Sequence, residues 1–176
     1  MNRLTLLLLS FLVFPVVSVA HGPTPQKANE SIVINAPVDA VWNVIKQFDG
    51  IADWHPDVKA SSGDGKNASD GTRTMTLKND GQLVESLDYY SDKDHEYNYR
   101  LKVENVTAFP VSSYTTNLKV AVGDNANSSV VTLKSRFYRG DTGNTPPDNL
   151  NDAAAVTAMK AFFSNGLVGL KQKLEK

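Results

Sequence analysis

Arg73 and Glu85 are the two residues of this chain whose types and spacing best suit chemistry. Both fall at odd positions, in step with Met75, Leu77, Leu83 and Leu87, on two alternating stretches that flank Asn79-Asp80-Gly81. A turn that sets Lys78 opposite Gln82 would put both side chains on one sheet face, with Glu85 beside Met75 and diagonal to Arg73. A charge on the covered side of a sheet needs a counter-charge or a solvated cavity. The pair is therefore a candidate polar anchor inside a ligand pocket. An ion pair that only braces the hairpin, or a one-residue slip that turns both groups outward, fits the same spacing.

Aromatic residues recur around these two: Tyr89, Tyr97, Tyr99, Tyr114, Phe137, Phe162 and Phe163. A tyrosine offers an apolar body and a hydroxyl that can orient a ligand, although core packing accounts for most of them equally well. The candidate pocket comprises Arg73, Met75, Glu85, Tyr97, Tyr99, Tyr114, Phe137 and Phe163. Gly166 and Gly169 would either leave room above a sheet or permit close packing. Of the three histidines, His21, His55 and His95, no two stand at ligand spacing, and the chain has no cysteine, so no metal site is expected. His21, Trp54, His55 and Pro56 are candidate partner contacts. In the alternative, Trp54 plugs the end of the core and His55 faces water. Asp92, Asp94, His95 and Glu96 cluster at a turn, where charges are usually solvated. The chain shows no nucleophile beside a base, no G-x-S-x-G and no phosphate-binding glycine loop. No catalytic residue and no cofactor follow from it.

The elements that must position these residues are legible in the periodicity. Ser31 to Asn35 alternates as a short strand. Pro37 suits a helix start, and Val38, Val41, Trp42, Ile45 and Phe48 keep helical spacing before Asp49-Gly50. Period two then takes over through Gly71–Lys78, Gln82–Tyr90, Tyr97–Val103, Tyr114–Val122 and Val131–Phe137. Strands so closely spaced, with no helix between them, predict an antiparallel meander. A last helix runs from about Asn149 to Leu174, with Val156, Met159, Phe163, Leu167, Leu170 and Leu174 as its apolar stripe. The fold class is α+β: a curved antiparallel sheet burying one face against the C-terminal helix.

The N-terminal MNRLTLLLLSFLVFPVVSVA has one basic residue, an apolar run and a small-residue end, so residues 1–20 read as a cleaved signal peptide. Residues 21–30, HGPTPQKANE, read as an extended arm, and 31–176 as one domain. Removing Arg3 leaves 17 basic against 19 acidic residues in about 155, a net charge near −2. No Lys/Arg cluster in the sequence suits nucleic acid, and no membrane association is expected after cleavage. Sequons at Asn29, Asn67, Asn105 and Asn127 matter only in a host that glycosylates exported chains.

Three pieces of the chain, Ile34-x-Ala36-Pro37-x-x-x-Val41-Trp42, Phe48-Asp49-x-Ile51-x-x-Trp54-x-Pro56 and Gly166-Leu167-x-x-Leu170, carry a resemblance. They are similar to the START/SRPBCC superfamily, the helix-grip fold of polyketide cyclase-like and birch-pollen-allergen-like proteins. The exported start at His21–Lys27, Trp54-His55-Pro56, and Phe109-Pro110-Val111-Ser112-Ser113-Tyr114 also look like MxaD-type proteins, periplasmic accessory proteins of bacterial methanol oxidation. That resemblance implies a non-enzymatic periplasmic protein assisting a quinone-dependent methanol dehydrogenase and its cytochrome c acceptor. The alternative is a carrier of a small apolar ligand, which predicts a cavity above roughly 300 Å³ between sheet and helix. A cyclase- or hydrolase-type enzyme would need a paired acid and base in that cavity.

Overall fold

The computed structural model describes residues 22–176; the expected signal peptide and His21 lie outside the described residues. Seven antiparallel strands form one sheet: β1 (Gln26–Ile34), β2 (Val58–Gly63), β3 (Thr72–Leu77), β4 (Gln82–Ser91), β5 (Glu96–Val103), β6 (Val111–Val122) and β7 (Ser129–Arg139). Their order is β1-β7-β6-β5-β4-β3-β2, so the meander from β2 to β7 is closed by the first strand pairing with the last. Helix α1 (Val38–Ile45) and a 3₁₀ segment (Phe48–Asp53) link β1 to β2, and α2 (Asp152–Leu174) follows β7. The α+β reading and the closing helix are as expected.

Helix α2 starts where Asn151 caps it, its side-chain oxygen accepting from the Ala154 N–H at 3.0 Å. Met159, Phe163, Leu167 and Leu170 then recur every three or four residues and bury against the sheet. Inward residues of the strands meet them: Ile34, Met75, Leu83, Leu87, Leu118, Val131, Leu133 and Phe137 are all buried.

Four local readings change. Residues 26–30 are not a free arm: they form the first half of β1, paired from Gln26 opposite Phe137 to Ile34 opposite Ser129. Ala28 and Ile34 alternate inward, so the strand begins before its obvious apolar residues. Strand β2 escapes the periodicity because it is a polar edge strand on which only Val58 is buried, with a bulge between Val58 and Ala60. Val103 and Val122, at strand ends, are exposed.

The fourth change bears on the site. In the β3–β4 hairpin Thr76 stands opposite Gln82, not Lys78, which brings Arg73 directly opposite Glu85 and Met75 opposite Leu83. The positive φ of the turn falls at Asp80 (65°), a residue type that tolerates it. Gly81 is glycine for another reason: a Cβ there would lie 2.0 Å from the Ala108 Cβ.

Candidate functional site

The sheet brings Arg73, Glu85, Tyr97, Tyr99 and Tyr114 together. Arg73 is 2% exposed and Glu85 1%, so both are removed from water. Arg73 Nε donates to Glu85 Oε2, and the Tyr114 hydroxyl donates to Glu85 Oε1, so each carboxylate oxygen has a donor. Arg73 Nη1 donates to the Phe48 carbonyl at 2.9 Å. The guanidinium lies over the Phe48 ring at 4.2 Å and the Tyr99 ring at 4.8 Å, which adds cation–π attraction in a desolvated setting. The 3₁₀ segment therefore supplies both an acceptor and a ring to a residue two strands away in sequence.

Electrostatics match the geometry. Burial works against the Arg73 charge, but the Glu85 carboxylate, with Tyr99 and Tyr97, outweighs it and holds the guanidinium protonated. Burial, with Glu85 close by, raises the Tyr99 and Tyr114 hydroxyls far above the ordinary tyrosine range. Burial pushes Tyr97 up to about 12, with Arg73 pulling the other way. Tyr114 thus keeps its proton and stays a donor to Glu85. The network is a buried ion pair with a phenol cap, in which each carboxylate oxygen accepts one hydrogen bond and Arg73 donates through Nε and Nη1.

The space beside the network is small. Glu85, Tyr99, Tyr114 and Phe163 border it, with Leu83, Phe109, Thr116, Met159 and Phe162. About 210 Å³ lies between these atoms, and none of it admits a water-sized sphere. Met75 and Phe137, placed in the candidate pocket by the sequence, are fully buried core residues that do not border this space, and neither do Arg73 and Tyr97. On the far side of Phe109 and Phe162 a surface groove of about 280 Å³ opens, lined also by Asn79, Pro110, Ala158 and Ala161. The two rings, 5.5 Å apart, stand between groove and interior. Sequence reasoning missed Phe48 and Phe109 as part of the site, because what they contribute here depends on tertiary placement.

The Trp54-His55-Pro56 loop is not an exposed contact: Trp54 is in the core, as the alternative reading had it, and His55, which neither reading buried, is in the core too. Trp54 and His55 are buried, His55 to 2% exposure, and only Pro56 is exposed. The His55 ring stacks on Phe162 with centroids 4.0 Å apart, and its Nδ1 accepts from the Asp57 N–H at 3.2 Å. Its Nε2 is buried without a hydrogen-bond partner among the described residues. Burial, aided by the Arg73 charge and opposed by Asp57, lowers the imidazole to about 4. Gly166 and Gly169 serve close packing: a Cβ at Gly166 would meet His55, and one at Gly169 would meet Pro56 and the Trp54 carbonyl. Of the turn acids, Asp92 accepts from the Trp42 indole N–H at 2.6 Å and so anchors α1. Tyr89 is exposed on the opposite sheet face.

Among the described residues no group of three potential metal ligands is assembled. Among curated proteins, none matches the chain. Solved structures do. An uncharacterized protein from Bacillus thuringiensis aligns at 23% identity, over 86% of this chain and 100% of its own, with a TM-score of 0.71. The protein XoxI from Bacillus cereus aligns at 24% identity, over 85% and 96%, with a TM-score of 0.72. The Zhui aromatase/cyclase from Streptomyces sp. R1128 aligns at 15% identity, over 86% and 94%, with a TM-score of 0.66. At such identities the likeness establishes the fold. The sequence model for polyketide cyclase / dehydrase and lipid transport proteins matches residues 25–175, a span that takes in all seven strands and α2. The chain therefore belongs to the polyketide cyclase / dehydrase and lipid transport family.

Proposed function

We propose that this is a non-enzymatic binding protein of an exported compartment that acts through its surface. Its partners in this reading are a quinone-dependent methanol dehydrogenase and the cytochrome c that accepts its electrons. One observation carries the surface-acting part. The interior where this fold could hold a small molecule leaves no room for a water-sized sphere, and the buried charged residues there among the described residues, Arg73 and Glu85, are bonded to each other, to Phe48 and to Tyr114. A buried pair engaged in this way is held by its own partners, which supports a role at the surface over one in acid–base chemistry. The partners, and the periplasm as compartment, are supported by the resemblance of residues 21–27, 54–56 and 109–114 to MxaD-type proteins. Adding the purified mature chain to dehydrogenase and cytochrome should raise the rate of electron transfer between them. An unchanged rate, with no binding to either protein, rejects the proposal.

A second reading, carriage of a small apolar ligand, is favoured by one feature. Phe109 and Phe162 border both the outer groove and the interior space, so a rotation of those rings would join the two. The combined site would be largely apolar, with Glu85 and Tyr114 at its inner end.

A further inference from the structure

The outer face of the sheet carries a cluster of cations that the buried network does not use. Lys27 on β1 stands directly opposite Arg136 on β7, and Arg136 stands opposite Thr115 on β6. Lys134, two residues before Arg136, lies on the same face. All three side chains are exposed. Like charges facing each other across a ladder repel. No carboxylate among the described residues pairs with any of the three. Two other cations on this face are matched: Arg100 holds Asp88 at 2.6 Å and Lys119 holds Glu96 at 2.9 Å. The excess is local, because the whole chain carries a net charge of −1.

The three cations line a groove of about 390 Å³, together with Thr115, Asn117 and Asp88. A bulge in β6 between Ser112 and Thr115, with Ser113 at φ 43°, interrupts the regular pleat at its edge. Beneath it, the Thr116 hydroxyl donates to Ser135 at 3.0 Å and Ser135 to the Thr115 carbonyl at 3.0 Å, which fixes β6 against β7.

We infer that this groove docks an extended acidic segment of a partner protein. Lys134 and Arg136 are two residues apart on one strand, so their side chains repeat at roughly 6.8 Å. Alternate carboxylates of an extended acidic segment repeat at the same distance. Lys27 sits one strand over, about 4.8 Å away, within reach of the same carboxylates. A single compact anion held between Lys27 and Arg136 would leave Lys134, roughly 6.8 Å along the strand, unmatched, whereas an extended segment engages all three. Asp88, held by Arg100, repels carboxylates and marks the end of the favourable stretch. The inference names the partner chemistry for the surface-acting reading above and rests on it only for its biological setting.

The test uses the mature chain and three probes: a fluorescein-labelled peptide with glutamate at alternate positions, inorganic phosphate, and phosphatidylglycerol vesicles. The peptide should bind, perturbing amide NMR signals on β1, β6 and β7, with an affinity that falls as salt rises. The triple variant Lys27→Gln, Lys134→Gln, Arg136→Gln should weaken it about tenfold or more. A control with Lys66→Gln, Lys93→Gln and Lys160→Gln should bind like the parent. Absent binding, equal binding by the triple variant, or a preference for phosphate or vesicles would overturn the assignment. Electron transfer measured in parallel separates the two claims. Acceleration retained by the triple variant sinks the groove and spares the accessory reading. Peptide binding without acceleration by any variant does the reverse.

Discussion

Gly166 lies so close beneath the His55 ring that a Cβ on it would sit 2.6 Å from both Cδ2 and Nε2. A mid-helix glycine ordinarily costs about 1 kcal/mol relative to alanine. Here the glycine is required, because the ring it faces is held in a stack with Phe162, centroids 4.0 Å apart. Gly166→Ala should therefore destabilise despite its better helix propensity, with overpacking of about 1–3 kcal/mol exceeding the gain. Urea denaturation checks this. In a His55→Ala background the same substitution should become neutral or stabilising, a coupling that a double-mutant cycle reads directly. Equal costs in both backgrounds would mean that the ring is not what excludes the methyl group.

His55 also predicts a pH dependence. Its folded-state pKa is lowered to about 4 from 6.5, so between these values the unfolded chain binds a proton that the folded chain refuses. Stability should then fall as pH drops from about 6.5 towards 4, by up to about 3 kcal/mol. The exposed Asp64, Asp92 and Asp94, whose pKa values are lowered by hydrogen bonds in the fold, add their losses below the ordinary carboxylate range. His55→Asn removes the titrating group. Urea midpoints at a series of pH values should show a slope in the parent that this variant flattens; a slope shared by both would assign the effect to other groups.

The strand-rich middle and the closing helix were readable because their inward residues alternate or recur at helical spacing over long stretches. Strand β2 was not, since Lys59, Ala60 and Ser62 belong to an edge whose polar side chains carry no period. The shared face of Arg73 and Glu85 followed from parity alone, but their direct opposition depended on a turn whose αL residue is Asp80. The sequence left Trp54 open between surface and core, and both of its readings placed His55 at the surface. What buries them is a pair of glycines more than a hundred residues away, and no local pattern records that contact. Phe48 and Phe109 entered the site for the same kind of reason: each is positioned by pairing elsewhere.

Glu85 should be the most sensitive single position in the interior. Glu85→Gln removes the counter-charge of a fully buried guanidinium, and breaking one side of such a pair costs about 3–5 kcal/mol. Replacing the set together, as Arg73→Met with Glu85→Met and Tyr114→Phe, leaves no orphaned charge or hydroxyl and should recover most of that loss. Chemical denaturation of the single and combined variants decides it. A combined variant as unstable as Glu85→Gln would show that the network contributes more than its own mutual satisfaction.

Phe162 decides whether the interior can be reached at all. Its ring touches His55 on one side and Phe109 on the other, and it borders both the outer groove of about 280 Å³ and the filled space beside Glu85. Phe162→Ala should cost about 1–3 kcal/mol, less than at a fully buried ring because Phe162 is only partly buried. It should also merge groove and interior into one apolar cavity of a size that holds a small aromatic molecule. An environment-sensitive apolar dye should then bind the variant with low-micromolar or tighter affinity while the parent leaves it in solution. Phe137→Ala, a fully buried ring away from the groove, controls for dye uptake through general loosening. Dye binding by Phe162→Ala alone would identify a gate that the carrier reading needs. Equal uptake by both variants, or by neither, would leave Phe162 as packing and remove the structural basis of that reading.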